Sequence, residues 1–171
     1  ASRGLGDVYK RQVIKRYVIN KQETTWRKHD MQRIFHTPEG VRDIYSQECS
    51  RKQKLQEKLH RVFHQYGFED IETPTFEYFE VFSKEVGTIP SRDLYKFFDR
   101  EGNTLVLRPD FTPSVSRACA TYFNPEKEVV SLCYTGNTFI NNSSFRGRLK
   151  ETTQMGVERM GDDSPEADAE I

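Results

Sequence analysis

One short segment carries side chains that could bind a small polar ligand. Residues 107–112 read Leu-Arg-Pro-Asp-Phe-Thr and lie directly before a predicted helix. At the start of a helix, the Asp110 carboxylate can pair with an ammonium group, and the Thr112 hydroxyl can donate or accept a hydrogen bond. The same residue types are also favoured as helix N-caps, so either of them could serve only to start the helix.

A second segment supplies a further amide and carboxylate. Residues 154–158 read Gln-Met-Gly-Val-Glu within a predicted strand. Gln154 and Glu158 are four positions apart, so both side chains face the same side of that strand. A carboxylate there suits the amino group of a bound ligand. The alternative is a solvated strand face, but Gly156 would then have no obvious purpose, so we favour a ligand pocket.

The elements that must position these residues follow from hydrophobic spacing and from turn residues. In chain order the predictions are a helix from about 46 to 66 with Gly67 at its C-terminus, a short strand 68–72 ended by Pro74, an aromatic-rich helix 76–86, a β-hairpin of 94–98 and 104–108, a helix from Thr112 as N-cap to Phe123, and two strands, 129–141 and 149–160. Long helices beside antiparallel hairpins predict an α+β fold.

The two ends of the sequence predict the domain limits. Residues 1–30 lack helical or strand periodicity and resemble translated adapter sequence, so we predict a non-native or disordered N-terminal extension, with Met31 as the natural start. A basic N-terminal arm or a targeting peptide is the alternative. At the other end, Ser164 and Pro165 begin a helix within two turns of the last residue. We therefore predict one core domain, residues 31–171, that is incomplete at its C-terminus.

Charge and cysteine content restrict the classes of function. The 26 basic and 26 acidic residues cancel, and residues 1–30 carry eight Lys/Arg against three Asp/Glu, which leaves the remainder acidic. An acidic folded region argues against nucleic-acid binding. No apolar run approaches the ~18 residues of a membrane span, which predicts a soluble, cytoplasmic protein. Three cysteines without a C-x-x-C spacing predict buried thiols in a reducing compartment.

Two histidines on the first predicted helix have a spacing that can bind zinc. His60 and His64 are four positions apart, but Arg61 stands where the helix of a zinc protease has its glutamate. The sequence indicates no third ligand. We therefore predict surface or half-buried histidines and no metal site.

The order of the motifs resembles the catalytic core of the histidyl-tRNA synthetases, a family of class II aminoacyl-tRNA synthetases. The resemblance spans residues 35–171 and rests on residues 107–112, on Cys-Tyr-Thr-Gly-Asn-Thr-Phe-Ile-Asn-Asn at residues 133–142, and on residues 154–158. It implies a class II synthetase-like antiparallel sheet flanked by helices, with Pro74 at a dimer interface. It also implies a histidine pocket formed by Asp110, Thr112, Gln154 and Glu158.

Several positions depart from the synthetase pattern. Ile140 stands where the synthetases have an arginine that holds the α-phosphate of ATP, and an alkyl group offers neither charge nor donor. Asn142 replaces a glutamate that contacts ATP, while Asp110 and Phe111 replace a glutamate and a glycine. This combination is similar to the regulatory subunits of ATP phosphoribosyltransferase, which are catalytically silent paralogues of histidyl-tRNA synthetase.

That resemblance implies a non-catalytic protein without a cofactor. Its implied protein partners are a short-form catalytic subunit of ATP phosphoribosyltransferase, which is a glycosyltransferase, and a second copy of itself. L-histidine is the implied effector, as the end product of histidine biosynthesis. The main alternative is an active histidyl-tRNA synthetase whose second motif has drifted. An RNA-binding or purely structural homologue is a third alternative, disfavoured by the acidic folded region.

Three arginines are the positions at which an anion or phosphate could be bound. Arg108 belongs to the first segment, and Arg146 and Arg148 flank a glycine in a predicted loop. Two arginines around a loop glycine are more often simply solvated.

Overall fold

The computed structural model describes residues 36–83, 89–142 and 147–171. The predicted N-terminal extension, the predicted start at Met31 and the loop residue Arg146 lie outside these ranges. The description below concerns the compact unit Pro38–Ile171. No helix among the described residues is long and apolar enough to cross a membrane.

Among the residues of this unit that the structure describes, four helices and six strands follow one another, with a 3-10 turn at Ser91–Asp93. They are α1 (Ser46–Gln65), β1 (Glu69–Asp70), β2 (Phe76–Tyr78), α2 (Phe79–Ser83), β3 (Lys96–Phe98), β4 (Thr104–Leu107), α3 (Thr112–Tyr122), β5 (Val130–Phe139), β6 (Glu151–Met160) and α4 (Pro165–Glu170).

The strands form two three-stranded sheets. One has the order β1-β5-β6, in which β5 and β6 are antiparallel and β1 is parallel to β5. The other has the order β2-β4-β3 and is wholly antiparallel. The backbone N–H of Phe139 donates to the carbonyl of Arg108 at 2.9 Å and so ties the end of β5 to the residue that follows β4. The predicted α+β fold with antiparallel pairing is confirmed, with β1–β5 as its parallel exception.

The core lies between α3 and one face of β5. Phe111, Val115 and Cys119 pack there against Val130, Leu132 and Tyr134 in one buried cluster. Each fully buried apolar side chain of this size contributes about 1.5–3 kcal/mol relative to exposure. The cluster thereby fixes the start of α3 over the middle of the β5–β6 hairpin.

Helix α1 forms as predicted but contributes little to this core. It ends at Gln65, and Gly67 just beyond its C-cap has a φ of +79°, a conformation that favours glycine. None of its twenty residues, all of which the structure describes, is fully buried. Leu55 and Tyr66, from its apolar stripe, are 57% and 58% exposed. The hydrophobic spacing therefore predicted the helix correctly, but the apolar side chains of that helix are not packed in the core.

The prediction of one helix over residues 76–86 was wrong at its start. Phe76–Tyr78 form strand β2, and the helix that follows is only Phe79–Ser83, while residues 84–88 lie outside the described ranges. Pairing with β4 selects the strand, because it buries Glu77 against the Arg117 guanidinium, with an Oε1–Nη2 distance of 2.7 Å. A contact between residues forty positions apart leaves no local signal in the sequence.

Candidate functional site

The four residues predicted to form a pocket come together where the start of α3 meets β6. The Thr112 hydroxyl donates to a carboxylate oxygen of Glu158 at 2.6 Å. The Gln154 amide donates to the Asp110 carboxylate at 3.3 Å. Thr112 is exposed while the other three are half-buried, so the group is open to solvent. Two carboxylates, an amide and a hydroxyl form an arrangement that can bind an ammonium group and further polar atoms.

Tyr134 lies at the centre of this group and was not predicted from the sequence. Its side chain is 6% exposed, and its ring stacks on Phe111 with a centroid separation of 4.3 Å. Burial, followed by the nearby carboxylates of Glu158 and Asp110, raises the pKa of Tyr134 to about 12. The phenol therefore stays neutral and can both donate and accept a hydrogen bond. The alternation of apolar residues Val130, Leu132 and Tyr134 along β5 was the available signal that this side chain is buried.

Gly156 has a structural purpose in this arrangement. It pairs directly with Tyr134 across the hairpin. A Cβ atom at position 156 would come within 2.6 Å of Tyr134 Cζ and closer still to its Oη. The glycine thus provides the space that the phenol occupies. This packing explains why residue 156 is a glycine, and no ligand is needed for the explanation.

Thr112 does not act as the N-cap that the sequence predicted. Phe111 occupies the N-cap position of α3, and no side chain caps this described helix start. Thr112 is already the first helical residue, and its hydroxyl is directed at Glu158. Asp110 accepts a hydrogen bond from the backbone N–H of Phe111 at 2.7 Å, so one of its oxygens does have a local structural role.

Arg108, predicted as a possible anion contact, makes several contacts within the protein. It is 7% exposed, and its guanidinium lies over the Phe111 ring at 4.1 Å from the centroid. Nε donates to the carbonyl of Asn137 at 2.8 Å and Nη1 to that of Thr73 at 2.9 Å. Burial lowers the pKa of Arg108. Of the other two predicted anion contacts, Arg148 is exposed and Arg146 lies outside the described residues.

The two histidines of α1 meet residues that the sequence did not connect with them. His60 Nε2 lies 2.5 Å from one carboxylate oxygen of Asp70, and His64 Nε2 lies 3.0 Å from the other. The Cys133 thiol lies 3.4 Å from the same carboxylate. His60 is half-buried and His64 is exposed, as predicted. The sequence indicated no third ligand because β1 and β5 supply two further potential donors that only the fold brings close.

Comparison with known proteins identifies the family. The model of the family described as histidyl-tRNA synthetase matches residues 40–171. This chain belongs to the histidyl-tRNA synthetase family. The predicted class II synthetase-like fold is thereby confirmed.

Within the histidyl-tRNA synthetase family, similar proteins are ATP phosphoribosyltransferase regulatory subunits. The one from Ruminiclostridium cellulolyticum is 45% identical over 137 residues, which are 80% of this chain and 33% of that protein. The one from Acetivibrio thermocellus is 43% identical, with the same two shares covered. The chain spans about a third of the length of these relatives. The predicted resemblance to this regulatory subunit is confirmed.

Solved structures of the histidyl-tRNA synthetase family share the fold. A Bacillus halodurans protein described as an ATP phosphoribosyltransferase regulatory subunit/histidyl-tRNA synthetase superposes with a TM-score of 0.69 at 34% identity, over 81% of this chain and 35% of that one. A histidine–tRNA ligase subunit from Alicyclobacillus acidocaldarius gives 0.68 at 26% identity, over 80% and 39%.

Proposed function

We propose that this protein acts as a regulatory subunit of ATP phosphoribosyltransferase, supports the first step of histidine biosynthesis and confers its feedback inhibition by histidine. Two observations carry this proposal: the polar side chains grouped around Tyr134, and the isoleucine at position 140. The similarity to regulatory subunits of that name supports it. Ile140 offers no donor to a nucleotide phosphate, whereas the pocket offers two carboxylates to an amino acid.

Histidine is the proposed ligand of the pocket. The Glu158 and Asp110 carboxylates would receive its α-ammonium group, and the Tyr134 phenol and the Gln154 amide would bond to its remaining polar atoms. We assign none of these residues a catalytic role. Inhibition then requires only that histidine bind the inactive arrangement of the complex more tightly than the active one.

The proposed partner is a short-form ATP phosphoribosyltransferase catalytic subunit, which would carry out the condensation of ATP with phosphoribosyl pyrophosphate. This protein would contribute no group to that glycosyl transfer. Its contribution would be to stabilise the active arrangement of the catalytic subunit, and histidine would reverse that effect by linkage.

Self-association through α1 is also proposed. Leu55, Leu59, Val62 and Tyr66 are between 37% and 58% exposed on this helix. A cleft of about 740 Å³ between α1 and β6 leaves Leu55 and Leu59 uncovered beside Met155. Exposed apolar side chains grouped on one helix are typical of a protein interface. The resemblance to the class II synthetases also supports self-association, because it implies a dimer interface at Pro74.

Active histidyl-tRNA synthesis is the second candidate function. The similarity to the Alicyclobacillus acidocaldarius histidine–tRNA ligase subunit favours it. It would require a cation near the α-phosphate of ATP, supplied by a residue other than Ile140. Aminoacylation of tRNA by this protein in the presence of ATP and histidine would establish the synthetase function and refute the regulatory function.

The decisive experiment measures histidine binding together with stimulation of a short-form catalytic subunit. Glu158→Gln should weaken histidine binding by about 10- to 100-fold, because a hydrogen bond to a charged group contributes about 1.5–3 kcal/mol. Glu151→Gln is the matched control, since Glu151 lies on the same strand but on its opposite face, where it accepts from Asn137.

Two outcomes would contradict the proposal. Equal affinity in the Glu158→Gln and Glu151→Gln variants would remove Glu158 from the histidine site. Catalytic-subunit activity that is unchanged by this protein, with or without histidine, would refute the regulatory role itself.

A further inference from the structure

We propose that a zinc ion binds where α1, β1 and β5 meet. The four ligands are His60, His64, Asp70 and Cys133. One donor atom from each of them lies within 4.8 Å of the corresponding atoms of the other three. This site is separate from the Tyr134 pocket, because Cys133 and Tyr134 are neighbours on β5 and point to opposite faces of the sheet.

The backbone places the ligands in two pairs. His60 and His64 are one helical turn apart at the end of α1, and their ring centroids are 4.2 Å apart. Asp70 and Cys133 are direct partners in the parallel β1–β5 ladder, so their side chains share one face. Gly67 turns the chain between α1 and β1 and brings the two pairs together.

The distances suit an ion without a change in fold. Both imidazole Nε2 atoms already point at the Asp70 carboxylate, at 2.5 and 3.0 Å, and the Cys133 sulfur lies 3.4 Å from one of its oxygens. Tetrahedral zinc with ligands at about 2.0–2.3 Å separates its donor atoms by roughly 3.5 Å. The His–Asp separations therefore have to widen by up to about 1 Å and the widest separation of 4.8 Å has to contract by about 1 Å. Side-chain rotations of the half-buried His60 and the exposed His64 can provide both changes.

The donor set selects the class of metal. Two imidazoles, a thiol and a carboxylate match the ligands that zinc takes in proteins, whereas calcium and magnesium take oxygen ligands. Binding would release the Cys133 proton to solvent and leave a thiolate on the ion, and no electron transfer is involved. The ion would fasten the end of α1, which has no fully buried residue in the described structure, to the sheet.

The test begins with protein stripped by a chelator and titrated with Zn²⁺, and then with Co²⁺ as a spectroscopic substitute. We expect one ion per chain and a thiolate-to-cobalt charge-transfer band. The His60→Gln/His64→Gln double variant should bind Zn²⁺ at least about 100-fold more weakly, because losing even a group that supports a ligand costs roughly 10–100-fold. Both histidines lie on the helix surface, so the variant should keep its fold. His36→Gln, at an exposed position, is the matched control.

The cysteine variants test the thiol separately. Cys133→Ser should abolish the charge-transfer band, and Cys119→Ser, which alters another buried free thiol, should keep it. Zinc affinity that is equal in the wild-type and double-histidine proteins would overturn the proposal. Cobalt binding without a thiolate band would also overturn it, since Cys133 would then not be a ligand of the ion.

Discussion

Replacement of Gly156 by alanine tests whether the Tyr134 phenol needs the space above the hairpin. The added methyl would lie 2.6 Å from Tyr134 Cζ and 3.0 Å from Cε2. Carbon atoms in contact are normally about 3.5–4.0 Å apart, so the ring would have to move by about 1 Å. It cannot rotate away freely, because it is buried and stacked on Phe111 at 4.3 Å.

The expected loss of stability combines two opposing effects. Forcing a methyl into a packed site costs about 1–3 kcal/mol. Glycine in the middle of a strand is itself about 0.5–1 kcal/mol less favourable than alanine. The Gly156→Ala variant should therefore lose about 1–2 kcal/mol of the free energy of unfolding, and its histidine affinity should fall if Tyr134 forms part of the pocket.

Urea unfolding of four proteins separates the clash from any general effect at position 156. The set is wild type, Gly156→Ala, Tyr134→Leu and the double variant. Leucine lacks the atoms that the new methyl would meet, so in that background alanine should stabilise by about 0.5–1 kcal/mol. The reasoning would be refuted if alanine had the same effect on the free energy of unfolding in both backgrounds.

Further predictions concern one titration and two structural contacts. Because burial raises the pKa of Tyr134 from 10 to about 12, its stabilising contribution should be complete below pH 10 and be lost as the pH rises to about 12; in a phenolate absorbance titration the last transition should be missing in Tyr134→Phe. Glu77→Gln should lower the free energy of unfolding in urea by about 1–3 kcal/mol. This is less than for a fully buried ion pair, because the Arg117 side chain is 32% exposed. A loss below about 0.5 kcal/mol would show that the pair is not stabilising. Ser164→Ala should cost about 1 kcal/mol by removing the N-cap bond to the Ala167 N–H, whereas Ser164→Asp should keep it.

The sequence predicted those parts of the fold that local signals determine. Gly67 was correctly placed at the end of α1, and Ser164 with Pro165 at the start of α4, because caps act within a few residues. The hairpin of β3 and β4 was also predicted from a local signal, the turn residues between its strands. Strand β2 was missed, because Phe76–Tyr78 become a strand only through pairing with β4 thirty residues downstream.

The candidate pocket was predictable as a set of residues, though not in its contacts. The resemblance to the synthetases brought Gln154 and Glu158 to the same pocket as Asp110, and the structure gathers these side chains around Tyr134. That they bind histidine stays a prediction. Tyr134 itself was missed, because its position over Gly156 depends on the register of β5 against β6, which sequence spacing does not specify.

Strand β5 also has a consequence for the order in which the chain folds. Its antiparallel partner β6 is separated from it by eleven residues, whereas the β1 residue Glu69 pairs with Leu132, sixty-three positions away. Closing the longer loop costs about 1.5 kcal/mol more in chain entropy. We therefore expect the β5–β6 hairpin to form early and β1 to dock afterwards, which pulsed hydrogen exchange during refolding would detect as earlier protection of β6 amides. Asp70 and Cys133 would come together only in that late step, so a metal bound to them would slow unfolding more than it accelerates folding.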